Sequence, residues 1–251
     1  MGTASFEYLL RLGDTTLILG HRVSEWCGVA PALEEDIALA NTALDLIGQT
    51  QMWLGYAAEV EDKGRSADDL AFHRDAWDFH NLLLVEQPNG DYGQTLMRQF
   101  LFDAFNVLNL KALEGSSDER IGEIAAKSVK EAIYHLERSS ETVTALGDGT
   151  SLSNDRMQKA LDLLWPYVGE MFTADAIDQE MLDAGVAPDL ASLRPQWDGT
   201  VDTVLAASML NRPESDFAHK GGKSGERHSE YLGHLLAVMQ SLPRSFPDAR
   251  W

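Results

Sequence analysis

Asp103 is the acidic residue whose neighbours say most. Leu96, Phe100, Val107 and Leu110 fall on one helical stripe with a seven-residue gap, and Asp103 fills it, three after Phe100 and four before Val107. A carboxylate on a core stripe must be paired, protonated or bound to a metal, because an unpaired buried charge is costly. Glu25 follows His21 by four residues on the inner stripe of a first helix. Asp45 lies beside Asn41, Leu44, Gly48 and Met52 on a second, and His135 near Ser128, Ala132, Leu136 and Ser139 on a fifth. Four long helices thus each offer an inward carboxylate or imidazole. Such donors suit iron or manganese, and a two-metal bundle site takes a carboxylate from each of two helices and Glu-x-x-His from each of two others.

The Glu-x-x-His spacing puts both ligands on one helical face, and this chain lacks it. Ala132 stands three residues before His135; Glu131, four before, lies on a neighbouring face. Gly48 stands three after Asp45, and glycine cannot ligate. The expectation is that no metal or other cofactor binds this chain and that it has no catalytic residues. Glu25, Asp45, Asp103 and His135 then read as vestigial ligand positions. The plainer readings are a surface or half-buried Glu131–His135 pair, an Asp103 held by a nearby Lys, Arg or Trp, and a core or boundary His21. An autonomous di-metal oxidase or oxygenase is the alternative function.

Other chemical signals are weaker. Gly222-Lys223-Ser224 looks like the end of a phosphate-binding loop, but Phe217 stands where that loop needs glycine and no strand precedes it. It reads as a flexible loop. His228, Glu230 and His234 cluster on the last helix, yet the two histidines are six apart and face apart. Cys27 has no basic neighbour closer than Arg22, so nothing marks it as a nucleophile. Trp26, Trp53, Trp77 and Trp165 read as core or interface anchors.

The elements that must position these residues are helices. Periodicity predicts helices over about 7–26, 34–61, 67–86, 92–113, 118–146 and 154–183, the last kinked at Pro166. A looser stretch over 185–199, a short helix near 201–210, a loop containing Gly221-Gly222 and a last helix over about 226–242 follow. Ser66 is expected to cap the third helix and Gly64 to end the second. No alternating β segment of useful length appears. Long helices joined by short turns argue an all-α antiparallel bundle with additional C-terminal helices. The expected organisation is a single domain over 1–251, with a core over about 6–184 and a C-terminal subregion over about 185–251.

Composition excludes several function classes. The 251 residues carry 40 Asp and Glu against 20 Lys and Arg, a formal charge of −20. A phosphate backbone or an anionic membrane would be repelled over most of such a surface, so neither nucleic acid nor membrane is an expected partner. One cysteine excludes an internal disulfide framework. The first twenty residues lack a basic leader region and no stretch is long and apolar enough to span a bilayer, so the expected compartment is the cytoplasm.

Several long stretches carry a resemblance to a known family. They are Glu34-Glu35-Asp36-Ile37-Ala38-Leu39-Ala40-Asn41 continuing to Asp45-Leu46-Ile47-Gly48-Gln49, Phe79-His80-Asn81 through Val85-Glu86-Gln87-Pro88-Asn89-Gly90-Asp91, and Arg98-Gln99-Phe100-Leu101-Phe102-Asp103. Lys130-Glu131 with Tyr134-His135-Leu136, Leu146 to Thr150, Leu164-Trp165-Pro166-Tyr167 and Gly233-His234-Leu235-Leu236 extend it over essentially the whole chain. The sequence resembles the C subunits of the bacterial multicomponent 1,2-phenylacetyl-CoA epoxidases of phenylacetate degradation. The resemblance implies a ferritin-like bundle and a structural, non-catalytic role beside a homologous catalytic subunit that holds the di-iron centre. It also implies further components including a reductase, with a homodimer as the state of the isolated chain. Placed on that pattern, Glu25 and Asp103 correspond to the lone carboxylates, Asp45 and Gly48 to one Glu-x-x-His, and Ala132 and His135 to the other.

Overall fold

The computed structural model describes residues 2–247 and 249. Among them are eleven α-helices and no strand, an all-α bundle of the ferritin-like kind. The chain gathers into two compact units, one spanning Met1–Gln87 with Gly221–Trp251, the other Pro88–Lys220.

The first unit is built on a hairpin of α1 (Gly2–Ser24) and α2 (Leu33–Glu61). Small residues set its spacing. A Cβ on Gly13 would lie 2.5 Å from the Leu54 side chain, and one on Gly20 3.1 Å from Ile47. Between them the hydroxyls of Thr16 and Thr50 meet at 2.9 Å, so two buried polar groups satisfy each other at the point of closest approach. Acidic Glu34, Glu35 and Asp36 open α2, where the helix dipole favours them. The helix ends at left-handed Asp62 (φ 54°) rather than at Gly64.

The predicted third helix over 67–86 is broken into α3 (Ala67–Phe72), a 3₁₀ turn (Ala76–Asp78) and α4 (Leu83–Glu86). Ser66 caps α3 as expected, in a reciprocal box with Asp69. The break has a polar cause. Arg74 donates to Leu70 O, to Asp78 O and to both oxygens of Asp14, and the His80 N–H also binds Asp14. These bonds replace the helical ladder. The C-terminal segment of this unit holds α10 (Glu230–Met239) and α11 (Ser241–Ser245). It is shorter than the predicted 226–242 helix, because His228 and the Ser229 N–H bind Glu86.

The second unit is centred on α5 (Tyr92–Leu113), buried along nearly its whole length, and α6 (Glu119–Gly147), whose one apolar face packs on it. The predicted 154–183 helix is divided rather than kinked. α7 (Ser151–Leu164) ends before Pro166, a 3₁₀ segment covers Trp165–Phe172, and Asp175 caps a new helix, α8 (Ala176–Asp183). α9 (Leu190–Ala207) starts earlier than the sequence suggests and contains Pro195. Asp189 caps it, and Trp197, fully buried, anchors it by donating from Nε1 to Leu101 O at 3.0 Å.

Candidate functional site

Asp103 sits where its stripe predicts, 1% exposed, with Leu96, Phe100, Val107 and Leu110 all buried around it. Its carboxylate is held by neutral donors. Gln99 Nε2, one turn earlier on α5, donates to Oδ1 at 2.7 Å, and Ser139 Oγ on α6 donates to Oδ2 at 2.9 Å. His135, one turn before Ser139, is 2% exposed. Burial pushes the Asp103 carboxyl up to about 6, against the opposing pull of His135, Ser139, Gln99 and Arg138. The expected Lys, Arg or Trp partner is therefore corrected: the direct partners are an amide and a hydroxyl.

The two predicted positions in the first unit lie otherwise. Glu25 is exposed, just beyond the end of α1, and pairs with Arg22 Nη1 at 3.3 Å. The inward stripe does not reach it, because α1 ends at Ser24 and the chain turns out into solvent. Asp45 is half-buried, and of its expected inward neighbours Asn41 is exposed and Leu44 is 69% exposed. The buried face of α2 runs instead through Leu39, Thr42, Leu46, Gln49, Trp53 and Leu54. Apolar residues lie on both sides of α2, so periodicity alone allows either register. The glycine contacts with α1 select the one observed. The opposite face carries Leu33 (72%), Ile37 (53%) and Leu44 in solvent, and a Cβ built on Gly48 would meet nothing within 4 Å.

Among the buried acidic residues that the sequence does not single out, Asp14 and Glu86 have no exposure at all. Asp14, fully buried, binds Arg74 and the His80 N–H; in sequence it only interrupts an apolar run. Burial lowers the His80 imidazole below its ordinary range, opposed by Asp14 and Glu7. Glu86, also fully buried, accepts from Asn81 Nδ2 at 2.9 Å, from the Ser229 N–H at 2.6 Å, and faces His228 Nδ1 at 2.6 Å. The His228 Nε2 faces Phe79 O at 3.1 Å, and Arg22 Nη2 donates to Glu86 O at 2.9 Å. The 228–234 cluster was a signal for this site, but the carboxylate that His228 meets lies 142 residues away. Both Glu86 oxygens are occupied, so this carboxylate fastens segments together and is closed to a substrate. Among the described residues no three of His, Cys, Asp and Glu lie together as metal ligands would, and no helix is long and apolar enough to cross a membrane.

Residues 2–251 match the family described as phenylacetic acid catabolic protein. The chain belongs to that family. Within the phenylacetic acid catabolic proteins it is similar to the C subunit of 1,2-phenylacetyl-CoA epoxidase from Escherichia coli K12. The two are 46% identical over 244 residues, which cover 97% of this chain and 98% of the relative.

Proposed function

We propose that this chain is the non-catalytic, structural subunit of a phenylacetyl-CoA ring 1,2-epoxidase and pairs with a homologous catalytic subunit that holds the di-iron centre. The outward face of α2 carries the reading. It presents Leu33, Ile37 and Leu44 to solvent, with Gly48 open beside them. An apolar face on a surface helix marks an interaction site, and Gly48 supplies no ligand where a metal centre would need one.

The donor set supports the same reading. The residues do not fit a two-metal centre: Ala132 and Gly48 have no side-chain donor atoms, Glu25 is exposed, and both Asp103 oxygens already accept hydrogen bonds. Glu25 and Asp45 in the first unit, and Asp103 and His135 in the second, are then read as vestigial ligand positions. The further expected component is a reductase, and the expected compartment is the cytoplasm.

Co-expression with the catalytic subunit tests the proposal. Ile37→Glu with Leu44→Glu should abolish co-purification while leaving the thermal transition of the isolated chain in place, since both side chains are exposed. Full retention of the complex in the double variant would remove α2 as the pairing face. Failure of the unaltered chain to co-purify would end the subunit reading.

A further inference from the structure

Where the predicted helix over 67–86 breaks, the first unit opens a pocket of about 290 Å³, at the small end of ligand-sized cavities, which begin near roughly 300 Å³. Phe6 and Leu10, one turn apart on α1, give it an apolar wall. Trp77, on the 3₁₀ turn, also lines it and yet is 68% exposed. Tryptophan is usually well buried, and a flat ring left at the edge of a cavity offers a surface on which another ring can stack. The Arg65 guanidinium stands 5.9 Å over the Phe6 ring, so a hydrogen-bond donor adjoins the aromatic wall.

The polar side chains of the lining are partly spent, and what remains specifies a ligand. Arg65 donates from Nε and Nη2 to Glu61 at 2.7 and 2.5 Å, and its Nη1 has no acceptor among the described residues. Arg74 donates from Nη1 and Nη2 to Asp14, from Nε to Leu70 O and from Nη1 to Asp78 O, which leaves one Nη2 hydrogen open. His80 Nδ1 faces Lys223 O at 3.3 Å. A carbonyl only accepts, so Nδ1 carries the hydrogen and Nε2 keeps a lone pair. Burial, which lowers the His80 imidazole, favours this neutral ring. The pocket thus offers open donors on two arginines and an open acceptor on a histidine.

Charge narrows the class. Arg65 and Arg74 are answered by Glu61 and Asp14, and Asp78 adds a further carboxylate to the lining. The walls hold no surplus positive charge, so an anion is not drawn in. A cation would bring no acceptor for the open guanidinium hydrogens. A neutral, flat ring system with a donor beside acceptors meets every condition, and adenine, whose amino group adjoins ring nitrogens, is such a system. We propose that this pocket seats a neutral purine base, with its ring against Trp77 and Phe6, its amino group donating to His80 and its ring nitrogens accepting from Arg65 and Arg74. The proposal goes beyond the subunit reading and does not rest on it.

Isothermal titration calorimetry of the purified chain with adenosine tests this. The expected result is one site per chain with a Kd on the order of 100 μM or tighter. Trp77→Ala should weaken binding about tenfold or more, because it removes the stacking ring, and Trp77→Phe should recover most of the affinity. Purine riboside, which lacks the amino group, should bind the unaltered chain about tenfold more weakly; this arm needs no variant to fold. Coenzyme A carries the same base and separates the sources. Affinity equal to that of adenosine assigns the pocket to the coenzyme's adenine, and binding of adenosine alone assigns it to a free nucleoside. No saturable binding of either at millimolar concentration would overturn the proposal. So would an affinity unchanged by Trp77→Ala or by loss of the amino group. Failure of the subunit reading shows separately, in co-purification with the catalytic subunit.

Discussion

Ser139 on α6 donates its hydroxyl hydrogen to Oδ2 of Asp103 on α5 across 2.9 Å, while Gln99 takes the other oxygen. A carboxylate in the interior of the second unit is thus held by neutral hydrogen-bond donors. Neutral donors stabilise the charge less than a metal or a guanidinium does, which is why burial still raises its pKa to about 6.

That shift fixes the sign of a pH effect. An acid whose folded pKa lies above its unfolded value binds more protons when folded in the window between them, so its contribution to stability falls as pH rises from about 4 to about 6. Two pKa units correspond to roughly 3 kcal/mol. Asp103→Asn removes the titration and keeps the shape. Its Oδ1 can accept from Ser139, and its Nδ2 can donate to Gln99 Oε1, which has no hydrogen-bond partner, once that amide turns over. Relative to the unaltered protein, the variant should therefore gain stability by up to about 3 kcal/mol between pH 4 and pH 7. Urea unfolding of both proteins across that range checks it; a flat difference would show that Asp103 does not titrate in the native state.

The fold class was legible in the sequence, and so was the α5 stripe, because Asp103 is the single carboxylate of α5 and falls in line with Leu96, Phe100, Val107 and Leu110. What was not legible depended on contacts distant in sequence. Glu86 follows an apolar run and precedes a turn, and besides nearby Asn81 its partners are His228 and Ser229, brought back by the C-terminal segment. Asp14 depends likewise on Arg74. The register of α2 was ambiguous because Leu44 and Leu46 are equally apolar; a close approach at Gly13 and Gly20 decides which is buried.

His228→Ala tests the fastening of the C-terminal segment. It removes a partner of a fully buried carboxylate and leaves Phe79 O without its ring contact. Leaving a buried carboxylate short of a hydrogen-bond partner typically costs about 1–3 kcal/mol. The expected outcome is a loss of that size in urea unfolding, with early proteolytic cleavage within 221–247. A loss below about 0.5 kcal/mol, the scale of a surface change, would contradict the assigned role.

Metal content offers a further test. Anaerobic iron loading of the isolated chain, followed by gel filtration and elemental analysis, should leave well under one iron per chain, since Gly48 and Ala132 supply no ligands. About two irons per chain would restore the di-metal reading.

The most direct measurement is turnover per assembled complex. The catalytic subunit and reductase are reconstituted with the unaltered chain, with Asp103→Asn, with His135→Ala and with the α2 variants, and phenylacetyl-CoA epoxidation is divided by the amount of complex formed. A structural subunit predicts a constant ratio: activity falls only as far as assembly falls. An Asp103 or His135 variant that assembles fully yet loses turnover would contradict the account and give this chain a direct part in the chemistry.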